Sequence, residues 1–203
     1  MKFFCNFFIA FSLVLSLSAQ DKPNILWITI EDTSPQFIGC YGNKEASTPN
    51  IDKLAEEGIR FTNAFATGTV CSASRSAIIT GVPTFKLGTG NHRSNYPIPE
   101  LIKGFPYYLK RQGYYTTNNE KTDYNIANEK KFIQETWNES STTASWSGRI
   151  DKKQPFFSVF NFAASHQSRT MSMPFDWYKK SVWNYLPEED RIGDNDFEMP
   201  PYF

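Results

Sequence analysis

Apolar and polar positions fall into blocks along this chain, and the period of the blocks changes several times. Residues 24–30 (NILWITI) form a continuous apolar run rich in β-branched side chains, the pattern of a strand buried on both faces. Glu31 and Asp32 end it. A turn-rich stretch, TSPQFIGCYGN, leads to a short helix over IDKLAEE, with Asn50 as N-cap and Gly58 as its stop. Residues 59–66 read as a second strand, and residues 72–80 as a helix stopped by Gly81 and Pro83. Pro106 opens a further helix, PYYLKRQ, which Gly113 ends. Residues 114–117 form a short third strand, residues 121–125 a loop, and residues 155–162 (PFFSVFNF) a fourth, strongly apolar strand. After His166 the chain becomes loop-like, rich in Pro, Asp and Trp, and no repeat or low-complexity tract interrupts it.

Strands that alternate with helices predict an α/β fold with a mainly parallel sheet flanked by helices. In such sheets ligands bind beyond the carboxyl ends of the strands. Polar chemistry follows each strand here. Glu31 and Asp32 follow the first, Cys71 and Arg75 the second, Lys121 the third and His166 the fourth. If the strands are parallel, these groups meet at one edge of the sheet.

Composition narrows the picture. The chain has 203 residues, enough for one domain with a core, and its 40% hydrophobic and 16% aromatic content excludes disordered and fibrous classes. A formal net charge of +0 argues against nucleic acid or an anionic membrane surface as the main partner, while leaving room for a local basic pocket. Residues 1–19 read as an export signal. Lys2 supplies the positive start, residues 3–17 the apolar core, and Ser16, Ser18 and Ala19 the small residues for cleavage. The competing reading is a transmembrane anchor, but the run is short and passes straight into polar QDKPN. No Cys follows it, which speaks against a lipoprotein anchor, so the expected product is a periplasmic or secreted bacterial protein without a stable membrane anchor, its domain spanning residues 22–203.

Cys5 leaves with the signal, and Cys40 and Cys71 remain. On composition alone, a disulfide between them is the favoured reading for an exported protein. No C-x-x-C pair or paired His points to zinc. Residues 70–81, VCSASRSAIITG, give Cys71 a second reading. At the start of a helix it sits among free N–H groups that favour anions and lower a thiol pKa. Arg75, four residues on, returns to the same helix face. Nucleophile, guanidinium and helix N-terminus would together hold a tetrahedral oxyanion. Physics alone leaves this reading level with a buried structural Cys on an amphipathic helix.

Cys71-Ser72-Ala73-Ser74-Arg75, followed by Thr80-Gly81, closely resembles the signature of the sulfatase family, C-x-P/A-x-R with a downstream T-G. Further motifs continue the resemblance in order: Pro23-Asn24-Ile25-Leu26 leading to Glu31-Asp32, Gly39-Cys40-Tyr41-Gly42, Thr48-Pro49-Asn50-Ile51-Asp52, Leu54-Ala55, and Gly58-Ile59-Arg60-Phe61-Thr62-Asn63-Ala64-Phe65. The similarity runs from Pro23 to His166. Around residues 118–125 (NNEKTDYN) it looks most like sulfatases related to heparan N-sulfatase.

The resemblance implies an alkaline-phosphatase-like fold and hydrolysis of sulfate esters or sulfamates, with a sulfated carbohydrate as substrate. It implies that Cys71 is oxidised to formylglycine, whose hydrate offers one hydroxyl to attack sulfur and a second to expel sulfate afterwards. A plain Ser or Cys would be left as a stable sulfo-ester. Ala73 stands where Pro is usual, which implies a maturase of the radical-SAM type rather than an oxygen-dependent one. Glu31, Asp32 and residue 71 are implied ligands of one Ca2+, since oxygens suit that ion. The family usually has Asp-Asp at the first two positions, so Asp32 is the better match and Glu31 a departure. Arg75 would stabilise the nucleophile. Lys121 would contact the sulfate, and His166 would bind it or protonate the leaving group. Many relatives carry His two positions after that lysine, where this chain has Asp123, which contacts substrate or only shapes the loop. His92, in GNHRS, matches no family residue. It reads as structural, or as lying near substrate with Arg93.

Family members are much longer, and their later half carries further acidic ligands and a lysine. Asp194-Asn195 in RIGDNDFE follows no apolar strand and reads as loop, so the catalytic domain is expected to be truncated. Two other functions stay open: a phosphate or phosphonate monoester hydrolase of the same superfamily, and a non-catalytic remnant that at most binds sulfated sugar.

Overall fold

The computed structural model describes residues 22–169 and 173–191. The export signal, Cys5 and the Asp194-Asn195 segment lie outside these residues. Four strands form one sheet: β1 (Ile25–Ile30), β2 (Tyr115–Asn119), β3 (Glu139–Ser140) and β4 (Phe156–Phe162). Their order is β1-β4-β2-β3 and every pairing is parallel. β4 is flanked on both sides, from Ile25↔Phe157 to Ile30↔Phe162 on β1 and from Tyr115↔Phe156 to Asn119↔Phe160 on β2. The parallel α/β sheet expected from the alternation of elements is therefore present, and the carboxyl ends of β1, β2 and β4 share one edge.

The helices are α1 (Pro49–Glu57), α2 (Cys71–Thr80), α3 (Thr84–Leu87), α4 (Phe105–Arg111), α5 (Glu129–Thr136) and α6 (Phe175–Ser181). α2 ends where Gly81 turns left-handed (φ 68°) and donates its N–H to the Ala77 carbonyl at 2.8 Å. Pro106 sits in the first turn of α4, where a missing N–H costs nothing. None of the described helices is long and apolar enough to cross a membrane.

The core lies between the sheet and helices α2, α4 and α5. Ile79, Tyr124, Phe132, Trp137, Phe157 and Val159 are buried in it. Phe157 is its centre: Trp137 stacks on it at 5.9 Å, and Phe105 and Trp27 meet it edge-on at 5.2 and 6.1 Å. Aromatic pairs in these geometries add to the burial of their area.

Several local expectations differ from the structure. β1 is not covered on both faces. Its burial alternates, because helices cover one face and no described element covers the other: Ile25, Trp27 and Thr29 turn towards the helices, and Leu26, Ile28 and Ile30 are exposed. Residues 59–66 are not a strand. Their apolar alternation finds no ladder partner among the described residues, and Phe65 is 88% exposed. α1 begins at Pro49, with Thr48 rather than Asn50 as N-cap. The Thr48 hydroxyl accepts the Gly39 N–H at 2.8 Å, which fastens the turn before the helix. α5 was not legible as a helix, and α6 interrupts the stretch after His166 expected to be loop.

Candidate active site

Glu31 follows the last residue of β1 and is 8% exposed. A carboxylate so placed needs partners, and two cations supply them. Arg75 Nη2 donates to Glu31 Oε1, and Lys121 Nζ to Oε2 at 3.0 Å. Arg75 comes from the second turn of α2 and Lys121 from the loop beyond β2, so the ion pairs join three elements. Burial works to raise the Glu31 pKa, but the hydrogen bonds and charges of Lys121 and Arg75 outweigh it and hold the carboxyl below its ordinary value.

Cys71 is the first residue of α2. Its Sγ lies 3.9 Å from Glu31 Oε2. The N-cap, Val70, offers no side-chain acceptor, so the N–H groups of the first turn have no capping side chain and point at the space in front of Cys71. The spacing of four between Cys71 and Arg75 does bring both to Glu31. His166 lies beyond β4, and one of its ring nitrogens, Cys71 Sγ and a Glu31 oxygen all lie within 4.8 Å of one another. His166 Nδ1 pairs with the Ser168 hydroxyl at 2.7 Å. Glu31, Cys71 and Arg75, together with Asp32, Asn118 and Asn161, line a pocket of about 260 Å³ at the carboxyl edge of the sheet, and Lys121 and His166 reach the same Glu31 carboxylate without lining it.

Asp32 is turned differently. It adopts a left-handed backbone (φ 50°), is exposed, and accepts the Gln167 N–H at 2.8 Å. Among the described residues the group able to hold a metal ion is Glu31, Cys71 and His166, without Asp32. As a thiol, Cys71 makes this a mixed S, N and O set that does not suit Ca2+. An oxygen-bearing residue 71 would turn it towards the hard ligands that Ca2+ prefers, with the Asp32 carboxylate beside it on the pocket wall.

Cys40 and Cys71 are both free, so the disulfide favoured by composition is absent. Cys40 belongs to a separate cluster, its N–H donating to Asp52 Oδ1 at 2.6 Å and its carbonyl accepting from Arg60.

One residue of the site escaped the sequence reading, Asn161. Its Oδ1 accepts from Arg75 Nη1 at 3.0 Å and Thr29 Oγ1 at 2.7 Å, while its Nδ2 donates to Asn118 Oδ1 and the Asn119 carbonyl, both at 3.0 Å. The signal was present, since an Asn on the inward face of an apolar strand must find partners. His92 and Arg93, expected to be structural or to lie near substrate together, both contact Ser72. His92 Nδ1 lies 2.9 Å from the Ser72 hydroxyl, which also accepts the Arg93 N–H at 3.0 Å. Nothing in GNHRS signalled that this loop packs on the residue after Cys71.

The family model described as Sulfatase matches residues 23–191. An ulvan-active sulfatase of Formosa agariphila is 39% identical over 166 residues, covering 75% of this chain and 26% of the relative. Human arylsulfatase D is 39% identical over 104 residues, covering 47% of this chain and 18% of its own. The chain thus spans about a quarter or less of the length of these relatives. Among solved structures, BT4656 in complex with its substrate D-glucosamine-2-N,6-O-disulfate superposes with a TM-score of 0.60 at 22% identity, over 73% of this chain and 36% of that one. The phosphonate monoester hydrolase of Agrobacterium radiobacter shares the fold, with a TM-score of 0.52 at 18% identity over 70% and 40% of the two chains. Family model, identity and fold agree: the chain belongs to the sulfatase family.

Proposed function

We propose that this chain carries the nucleophile half of a sulfuric ester hydrolase that acts on sulfated carbohydrates. The observation that carries the reading is the convergence of Cys71, Arg75, Lys121 and His166 on the Glu31 carboxylate at the carboxyl edge of a parallel sheet. The sulfated glucosamine bound by BT4656 supports a sugar substrate, and the N-terminal apolar segment supports export in a bacterium.

A sulfate group entering the pocket would set its oxygens against the first-turn N–H groups of α2 and against Arg75 and Lys121. Both cations are already engaged by Glu31, so the spare positive charge is small. That suits a sulfate monoester, a monoanion, better than a dianionic phosphate ester. Formylglycine at position 71, formed from the thiol by a radical-SAM-type maturase, would supply a nucleophile that can release sulfate without a trapped ester. Asn161 and Glu31 fix the Arg75 fork, which positions the charge before substrate arrives. His166 would protonate the departing sugar oxygen. Glu31 and Asp32 would hold one Ca2+, which when bound draws charge from sulfur as a Lewis acid.

The test is sulfate release by the full-length protein co-produced with a radical-SAM maturase, measured on sulfated monosaccharides and on a phosphonate ester. Release of sulfate with a weak phosphonate reaction supports the reading. Preference for the phosphonate ester replaces it with the related hydrolase. Inactivity on both, with formylglycine present, marks a non-catalytic binding remnant.

A further inference from the structure

Two loops meet beside Cys71 in a contact that this chemistry does not use. Arg93 lies on the loop before α4 and Asp123 on the loop that carries Lys121. Arg93 Nε and Nη2 donate to Asp123 Oδ1 and Oδ2 at 3.0 and 3.2 Å. The Arg93 side chain is 64% exposed, and exposed ion pairs contribute little to stability. Yet both loops are firmly built. Asn125 is fully buried, donates to the Thr89 and Asn91 carbonyls and to Ser94 Oγ, and accepts the Asn95 N–H at 2.9 Å. Arg93 N–H is anchored on the hydroxyl of Ser72, the residue after Cys71, and Asp123 comes two residues after Lys121. Arg93 is thus fixed beside the start of α2, and Asp123 shares the loop of the lysine that holds Glu31. Both also hold left-handed backbones, φ 49° and 47°, conformations uncommon outside glycine.

The pair keeps spare hydrogen-bonding capacity. Arg93 retains the Nη1 donors, and each Asp123 oxygen retains a second lone pair. An unpaired arginine on the loop beside Ser72 would select a second anion, whereas Asp123 cancels that charge and repels one. A neutral pair of donors and acceptors matches adjacent hydroxyls on a sugar ring, each of which both donates and accepts.

The geometry points to the Arg93–Asp123 pair as a hydroxyl-binding subsite for the sugar whose sulfate lies in front of Cys71. The inference rests on the sulfatase reading above and adds the recognition of the sugar itself.

The experiment is calorimetric titration of the full-length protein, produced without maturase so that residue 71 stays a thiol and nothing turns over. The probes are inorganic sulfate, 4-nitrophenyl sulfate and a panel of monosulfated monosaccharides. Wild type is expected to bind at least one sugar sulfate more tightly than the aryl sulfate. Asp123→Asn and Arg93→Gln should each weaken that sugar by about tenfold or more, the range for a hydrogen bond to a charged group, and leave inorganic sulfate unchanged. Asp123→Asn should in addition favour sugars that carry a second anionic group. Arg93 lies at the surface and Asp123 is largely covered (64% and 16% exposed), so thermal melts of each variant identify any that misfolds. Unchanged sugar affinity in both variants, or a wild type that binds sugar and aryl sulfates equally, overturns the subsite and leaves the sulfate pocket standing. A wild type that binds none of the sulfates overturns the sulfatase reading, and the subsite with it.

Discussion

Arg75 reaches from the second turn of α2 to the Glu31 carboxylate at the end of β1, and the same carboxylate takes Lys121 on its other oxygen. One buried acid thus holds two cations in front of Cys71. Replacing Glu31 by Gln would leave both cations without their counter-charge. For a fully buried pair such a loss costs about 3–5 kcal/mol. Arg75 and Lys121 retain some solvent, so about 1–3 kcal/mol is expected, read as a lower denaturation midpoint at neutral pH.

The same contact sets a pH dependence. The folded Glu31 pKa lies below its ordinary value of 4.5, so its contribution is fully present above 4.5 and is lost as pH falls through the depressed folded value. Wild type should therefore lose stability on acidification below 4.5 more steeply than Glu31→Gln. Parallel acid-unfolding curves for the two proteins would contradict this.

Asn161 joins Arg75 to Thr29, Asn118 and the Asn119 carbonyl. Asn161→Leu keeps the volume and removes both ends of that junction. We expect a stability loss of about 1–3 kcal/mol from the polar groups left behind, together with weaker sulfate binding because Arg75 loses its second anchor. Titration with inorganic sulfate checks the second effect separately from unfolding.

Gly104 packs against α5 with no room for a side chain. A Cβ there would meet Thr136 Cγ2 at 2.7 Å and Ile79 Cγ1 at 3.2 Å, both on buried residues. Gly104→Ala should cost about 1–3 kcal/mol by overpacking, seen as a lowered midpoint with the site residues untouched.

A calcium site involving Asp32 makes a different demand. Added Ca2+ should raise the melting temperature of the full-length protein carrying formylglycine, and a chelator should reverse the rise. Asp32→Asn should reduce that response while leaving the metal-free stability nearly unchanged, because among the described residues the exposed Asp32 carboxylate accepts only the Gln167 N–H.

The parallel sheet and its reactive edge were legible because they depend on local periodicity and on where polar residues follow apolar runs. NILWITI and PFFSVFNF became β1 and β4, and the spacing of Cys71 and Arg75 put both on Glu31. Residues 59–66 failed for a physical reason. Alternation shows that a segment suits a strand, but not whether a neighbour exists to pair with it. β1 misled in the same way, since a continuous apolar run does not show whether anything covers its second face. α5 was missed because EKKFIQET buries only Phe132 and Thr136 and shows little apolar face. The Asn161 junction and the Arg93–Asp123 contact join residues 86 and 30 positions apart, and such pairings arise from the fold rather than from any local pattern.

The central claim is that Cys71 becomes the nucleophile, and peptide mass spectrometry after co-production with a radical-SAM maturase addresses it most directly. Conversion of the thiol to the aldehyde lowers the mass of the Cys71 peptide by about 18 Da, the exchange of SH and H for O that creates the covalent catalyst. The account predicts that shift at Cys71 and none at Cys40. A Cys71 that remains a thiol, or is found joined to Cys40, would contradict it.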